Sequence, residues 1–216
     1  MKFKVYIIES PGSMDFLDGR TEGSALSASL RLARIENQLF TVINRAALLD
    51  CFDRVRNDII EIRKNAISNM ANGSHVSNEL VQITLHFSCH GNTKGIGLTS
   101  GEFISWSELK DILLKLGKES GHFDETRRYC PFNLALSTCH GGHASEMLSG
   151  AEHPCTVVVG PTVEVDWADA LIGFTTFYHN FAFKGHHGGD AVQRMNIAAG
   201  LDNVFVSTVS DNLALP

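Results

Sequence analysis

Four apolar runs, each stopped by a turn-forming cluster and separated by stretches of helical periodicity, constrain this chain more than any other feature. Phe3 to Ile8 is aromatic and β-branched and halts at Glu9-Ser10-Pro11-Gly12-Ser13. Val81 to Phe87 alternates apolar and polar residues and halts at Ser88-Cys89-His90-Gly91-Asn92, which reads as a tight turn. Phe132 to Ser137 leads into Thr138-Cys139-His140-Gly141-Gly142-His143, and Thr156 to Val159 ends at Gly160-Pro161. Between them, Leu26, Leu30 and Ala33 sit at helical spacing within Ser24 to Ile35. Leu48, Cys51, Phe52, Val55, Ile59 and Ile62 make Ala46 to Ala66 the most secure helix. Leu109, Ile112, Leu113 and Leu116 mark another, opened by a capping box at Ser105-Trp106-Ser107-Glu108. Strands alternating with helices, without an internal repeat, predict an α/β sandwich on a largely parallel sheet.

The remaining elements fill in that pattern. A short strand is expected at Phe40 to Ile43, a hairpin within Gly95 to Ile104, a short helix at Ala144 to Leu148, helices over Asp169 to Phe183 and Asp190 to Ala199, and a last strand at Val204 to Ser207. Asn69 to Asn78 and Gly117 to Tyr129 read as polar, exposed stretches, and as the places where a processing cut would fall. With 216 residues, 44% of them hydrophobic, the chain can bury one sizeable core, and a single domain over 1–216 is expected.

Charge and cysteine use narrow the partners. Eighteen Lys and Arg against 24 Asp and Glu leave a net charge of −6, which argues against a general nucleic-acid or anionic-membrane surface. Five cysteines without regular spacing read as free thiols of a reducing compartment. The opening residues lack the pattern of a secretory signal, and no apolar run approaches the roughly 20 residues of a membrane span, so a cytoplasmic setting is expected.

Ligands of open parallel sheets bind beyond the carboxyl ends of the strands. Two strands here end alike, in Ser88-Cys89-His90-Gly91 and in Thr138-Cys139-His140-Gly141-Gly142. Thiol-based acyl transfer needs a thiol that ionises, a nearby base and backbone N–H donors for the developing oxyanion. The second loop can supply the thiol and donors ahead of a helix start, the first an imidazole. Cys89 and His90 are adjacent on an extended segment and point to opposite sides, as do Cys139 and His140, so only pairs across the two loops can act together. His86, in phase with His90 but about 13 Å earlier, belongs under the sheet.

An apolar strand followed by His-Gly, and a later one followed by Cys and small residues, resembles the caspase-like cysteine peptidases: caspases, metacaspases, separase and the bacterial CHAT peptidases. The separation of His90 and Cys139, 139 − 90 = 49 residues, matches the caspase spacing of about 50. Thr138-Cys139-His140-Gly141-Gly142 is similar to the metacaspase or CHAT loop and lacks the caspase Gln-Ala-Cys form. Val157 to Pro161, Asp166 to Asp169, Phe177-Tyr178 and Lys184-Gly185 resemble the strand, acidic loop and helix after the Cys in CHAT domains, so the resemblance covers roughly Val81 to Leu201. It implies a caspase-like three-layer α/β/α sandwich with a mostly parallel central sheet. It implies Cys139 as nucleophile, His90 as general base and acid, and the N–H groups of Gly91 and Cys139 as oxyanion donors. It also implies a protein or peptide substrate, no cofactor, and a bacterial effector gated by an activating partner or by homo-oligomerisation. Glu164, Asp166 and Asp169 come after the next strand; an acidic pocket there would select Arg or Lys, with Asp166 the candidate contact, while a solvated loop and helix cap account for the same residues.

Two other readings stand beside this one. Cys89, His90, Cys139, His140 and His143 could place metal ligands on facing loops, although no C-x-x-C pair is present. A caspase-like fold could also serve as a silent scaffold or sensor. A nucleotide-binding domain is disfavoured, because neither glycine-rich phosphate motif comes after the first strand.

Overall fold

A computed structural model describes residues 2–71 and 81–213. Alternation of strand and helix produces the expected layers, a mostly parallel sheet flanked by helices on both faces. The main strands are β1 (Lys2–Ser10), β2 (Glu36–Thr41), β3 (Val81–Asn92), β6 (Phe132–Ser137), β7 (Val157–Pro161) and β8 (Phe205–Val209), and a hairpin of β4 (Gly95–Gly97) and β5 (Phe103–Ser105) extends from the end of β3. The main strands lie in the order β2-β1-β3-β6-β7-β8. All neighbours on this path pair parallel except β7 and β8, which are antiparallel.

Residue alternation along each strand sorts side chains into two cores. Tyr6, Ile8, Leu85, Phe87, Leu134 and Leu136 face one layer, formed by α3 (Arg45–Ala71) and α4 (Trp106–Glu119). Val5, Ile7, Ala135 and Val159 face the other, formed by α2 (Gly23–Leu32), α5 (Trp167–Tyr178) and α6 (Gly188–Ala199). In α4 the Leu109, Leu113 and Leu116 stripe is buried with Trp106, each side chain adding about 1.5–3 kcal/mol of burial. Ser105 caps this helix by accepting from the Glu108 N–H, while the Glu108 carboxylate turns to Arg45 and leaves the capping box half formed. At the start of β1, buried Lys4 reaches Asp58 at 2.6 Å and Glu36 at 2.7 Å, and Tyr6 donates to the same Asp58 at 2.7 Å, pinning α3 to the sheet.

Several boundaries differ from the sequence reading. Ser88 to Asn92 is not a turn: β3 runs on through it, because His90, Gly91 and Asn92 pair antiparallel with β4. The helix expected at Ala144 is an eight-residue 3-10 helix, Gly141–Leu148, entered through His140 in the left-handed region at φ 60°. Strand β2 starts at Glu36 rather than Phe40, since its register pairs it with β1 from Lys4 onward. Gly117 to Tyr129 is only partly an exposed loop: α4 continues to Glu119, and Tyr129 is buried. The long helix after Asp166 ends at Tyr178 and passes into a π turn, His179–Phe183. The turn cluster behind β1 contains the start of a further short helix, α1 (Ser13–Leu17). Of the polar stretch at Asn69 to Asn78, residues 72 onward lie outside the described residues.

Candidate functional site

The strand order turns around β1: the chain moves from β1 to β2 on one side and returns across it to β3 on the other. Such a switch point opens a crevice at the carboxyl ends of the strands beside it. The segments leaving β1, β3, β6 and β7 meet there in a cleft of about 440 Å³.

Register brings the segments that carry His90 and Cys139 together. Ser88 and Ser137 are direct partners across β3 and β6; His90 lies two residues further on within β3, and Cys139 two residues further on in the turn that leaves β6. Both side chains line the cleft. Cys139 is half-buried, with its thiol 3.8 Å from the Val165 carbonyl oxygen, which accepts from it. The other four cysteines are buried, and burial pushes the Cys51, Cys89 and Cys130 thiols up to about 12 and raises Cys155 further.

The residue missing from the sequence reading is Asp15. It is the one buried residue of α1, and its Oδ2 lies 2.7 Å from His90 Nε2. A carboxylate only accepts, so Nε2 is the donor of this bond and Nδ1 is the ring nitrogen left for another partner. Arg20 holds the other oxygen, Oδ1, at 2.7 Å. The edge of Trp167 packs against the imidazole, with ring centroids 5.5 Å apart at 70°, limiting its rotation. No spacing rule points to Asp15; its segment has no periodicity, and proximity to His90 depends on β1 and β3 being neighbours although the two residues are 75 apart in sequence.

The expected oxyanion donors fare differently. The N–H groups of His140 and Gly141 are used by the Val163 and Thr138 carbonyls, so the Cys139 N–H is the donor nearest the thiol. Gly91 backs onto Thr138 and Cys139 rather than lining the cleft; a Cβ there would run into Thr138 Oγ1 and sit 3.2 Å from the Cys139 carbonyl oxygen. The expected helix dipole behind Cys139 is that of a 3-10 helix only, kept close by Gly160, where a Cβ would come within 2.9 Å of the Gly142 nitrogen.

Asp166 and Glu164 line the cleft, whereas Asp169 lies in the first turn of α5 away from it. Asp166 holds the N-cap position of α5 but makes no capping bond with its side chain. Two buried hydroxyls at the same end of β6, Ser137 Oγ and Thr138 Oγ1, have no hydrogen-bond partner among the described residues.

The residues of the metal reading are not assembled as ligands. Cys89 is buried in the core beneath α3 and α4, His140 Nδ1 is 3.1 Å from the Thr162 carbonyl, and the His140 and His143 rings lie 6.0 Å apart. Among the described residues no group of three or more His, Cys, Asp or Glu is placed to hold a metal ion. No helix among them is long and apolar enough to cross a membrane. No protein-family model matches the chain, and no curated protein matches its sequence.

Proposed function

We propose that the chain is a cysteine endopeptidase of the caspase-like kind, with Cys139 as nucleophile, His90 as base and acid, and Asp15 orienting the imidazole. The observation that carries this reading is the convergence of four separate strand ends on one cleft, which a half-buried thiol and a carboxylate-bound imidazole both line. In that arrangement His90 Nδ1 takes the thiol proton as Cys139 Sγ bonds to the scissile carbonyl carbon. The electron pair moves to the carbonyl oxygen, which the Cys139 N–H stabilises. The imidazolium gives its proton to the amine as the C–N bond breaks, leaving a thioester. Water then attacks the thioester, losing its proton to His90, and Cys139 leaves as the thiol.

Asp166, with Glu164 beside it, supports selection of Arg or Lys before the cut. The resemblance adds a cytoplasmic bacterial defence or signalling effector, switched on by a partner or by self-association. Incubating wild type and Cys139→Ala with an unbiased peptide library and mapping the cuts tests the reading. Cleavage by wild type alone, at defined positions, is the expected result; equal cleavage by both removes Cys139 from the mechanism. No cleavage by wild type, dilute or concentrated, favours the silent scaffold.

A further inference from the structure

Two glutamates that flank the segment carrying Asp15 are buried, and among the described residues no lysine or arginine pairs with either. Glu9, at the end of β1, is 4% exposed, and Glu22, the N-cap residue of α2, is 3% exposed. Burying carboxylates is costly unless they are bonded, and burial does raise the Glu9 carboxyl above its usual range. Their bonds define a shape. Glu9 Oε1 accepts from the Gly23 N–H at 2.5 Å, so the carboxylate at one end of the Ser10 to Glu22 segment holds the other end. Glu22 Oε2 accepts from Ser88 Oγ at 2.8 Å, tying that far end to β3 two residues before His90. Glu22 Oε1 has no partner among the described residues and stands 3.9 Å from His86 Nε2, which is likewise unpartnered and fully buried. The near end is tied separately: Thr99 Oγ1 donates to the Pro11 carbonyl at 2.7 Å, and the Thr99 N–H donates to Ser10 Oγ at 3.0 Å.

This segment carries Asp15 and Arg20, and apolar packing does not hold it. Of the five residues of α1 only Asp15 is buried, while Met14, Phe16 and Leu17 are 61–75% exposed. A helix with its apolar side chains in solvent contributes almost nothing to its own docking. The position of Asp15 on His90 therefore depends on polar ties at the two ends of the segment.

We infer that Glu9 and Glu22 are positioning residues: the Glu9 to Gly23 and Glu22 to Ser88 hydrogen bonds close the base of the Ser10 to Glu22 segment and hold the Asp15 carboxylate against His90. The inference rests on the proposed dyad for its catalytic meaning, but the tie itself is measurable without it. Backbone hydrogen exchange of the full chain reads the tie, and the rate of Cys139 alkylation by iodoacetamide across pH reads its effect on the dyad. In Glu22→Ala, amides of residues 13–20 should exchange at least tenfold faster while the sheet keeps its protection. Cys139 alkylation at pH 6 should fall by the same factor as in Asp15→Ala, and the double variant should fall no further, since both changes remove one interaction. Glu22→Gln retains an acceptor for Ser88 and should restore both readouts. If Glu22→Ala does not fold, Ser88→Ala and Glu9→Ala load the same ties and should give the same pattern.

Unchanged exchange in the segment, additive losses, or a Glu22→Gln variant as impaired as Glu22→Ala overturns the inference. If alkylation of Cys139 does not respond to Asp15→Ala at all, the dyad reading fails instead, and the exchange experiment still decides whether the tie exists.

Discussion

Native protein treated with iodoacetamide at pH 7.5 should lose one thiol of five, and that thiol should be Cys139. Burial pushes Cys51, Cys89 and Cys130 up to about 12, so only about 3 in 100,000 of each is thiolate at that pH. A thiol at the ordinary value of ~8.5 is about one-tenth thiolate, roughly 3,000 times more. Thiolates of high pKa are intrinsically better nucleophiles, with a Brønsted slope of about 0.45, which returns roughly a factor of 40 over 3.5 units. A preference of roughly 80-fold for an ordinary accessible thiol remains before any difference in access is counted. Cys139 is half-buried and opens on the cleft, the one thiol of the five that is not buried, so access favours it over the other four. Peptide mapping after timed alkylation measures all five sites at once, with urea-unfolded protein as the control in which every site reacts. Modification of any buried cysteine at a rate within tenfold of Cys139 would refute the reasoning, as would a Cys139 that reacts only after unfolding.

The same geometry sets three other outcomes. Asp15→Asn keeps the size of the side chain but loses the charge, and should lower cleavage of any identified substrate by between about 10² and 10⁴ through the rate of the chemical step, leaving substrate binding nearly unchanged; steady-state kinetics separates the two. Gly91→Ala drives a methyl group into Thr138 Oγ1 and should cost about 1–3 kcal/mol in urea unfolding, part of which Thr138→Ala returns by removing the atom it meets. His122, stacked on Phe132 at 5.2 Å, is held down to about 4 chiefly by burial and then by Arg63, against an ordinary value of 6.5. The unfolded chain binds this proton and the native one does not between those values, so stability should be complete above pH 6.5 and fall by up to about 3 kcal/mol as pH drops toward 4. His122→Phe should flatten that part of the stability profile, and an unaltered slope in urea melts counts against the assignment.

The strands that build the site are readable because each is a short apolar run with a turn cluster behind it, and the pairing of Ser88 with Ser137 brings the segments carrying His90 and Cys139 to one cleft. The features that escape a sequence reading depend on contacts distant along the chain. Ser88 to Asn92 has the composition of a turn but becomes strand because the β4–β5 hairpin folds back on it. Asp15 lies in Ser13-Met14-Asp15-Phe16-Leu17, whose exposed apolar residues give no core-facing pattern. Glu9 and Glu22 have the look of ordinary turn and helix-start acids, and only the neighbouring of β1 and β3 buries them. Asp166 is legible as a helix start, and its second property, a carboxylate left unused by the cap, shows only in the side-chain geometry.

For the proposed dyad, the order of the sheet also sets when in the life of the molecule the thiol and its base can meet. Asp15 and His90 are 75 residues apart, Cys139 comes 49 later, and they meet only after β1, β3 and β6 have aligned side by side. Non-local parallel pairing of this kind forms late and slowly. A ribosome-bound chain that has not yet released β6, or a fragment cut between β3 and β6, contains the parts in the wrong places and stays chemically quiet. In the proposed mechanism, completed topology is thus the condition for reactivity, because an unfinished chain has not yet brought Asp15, His90 and Cys139 to one cleft.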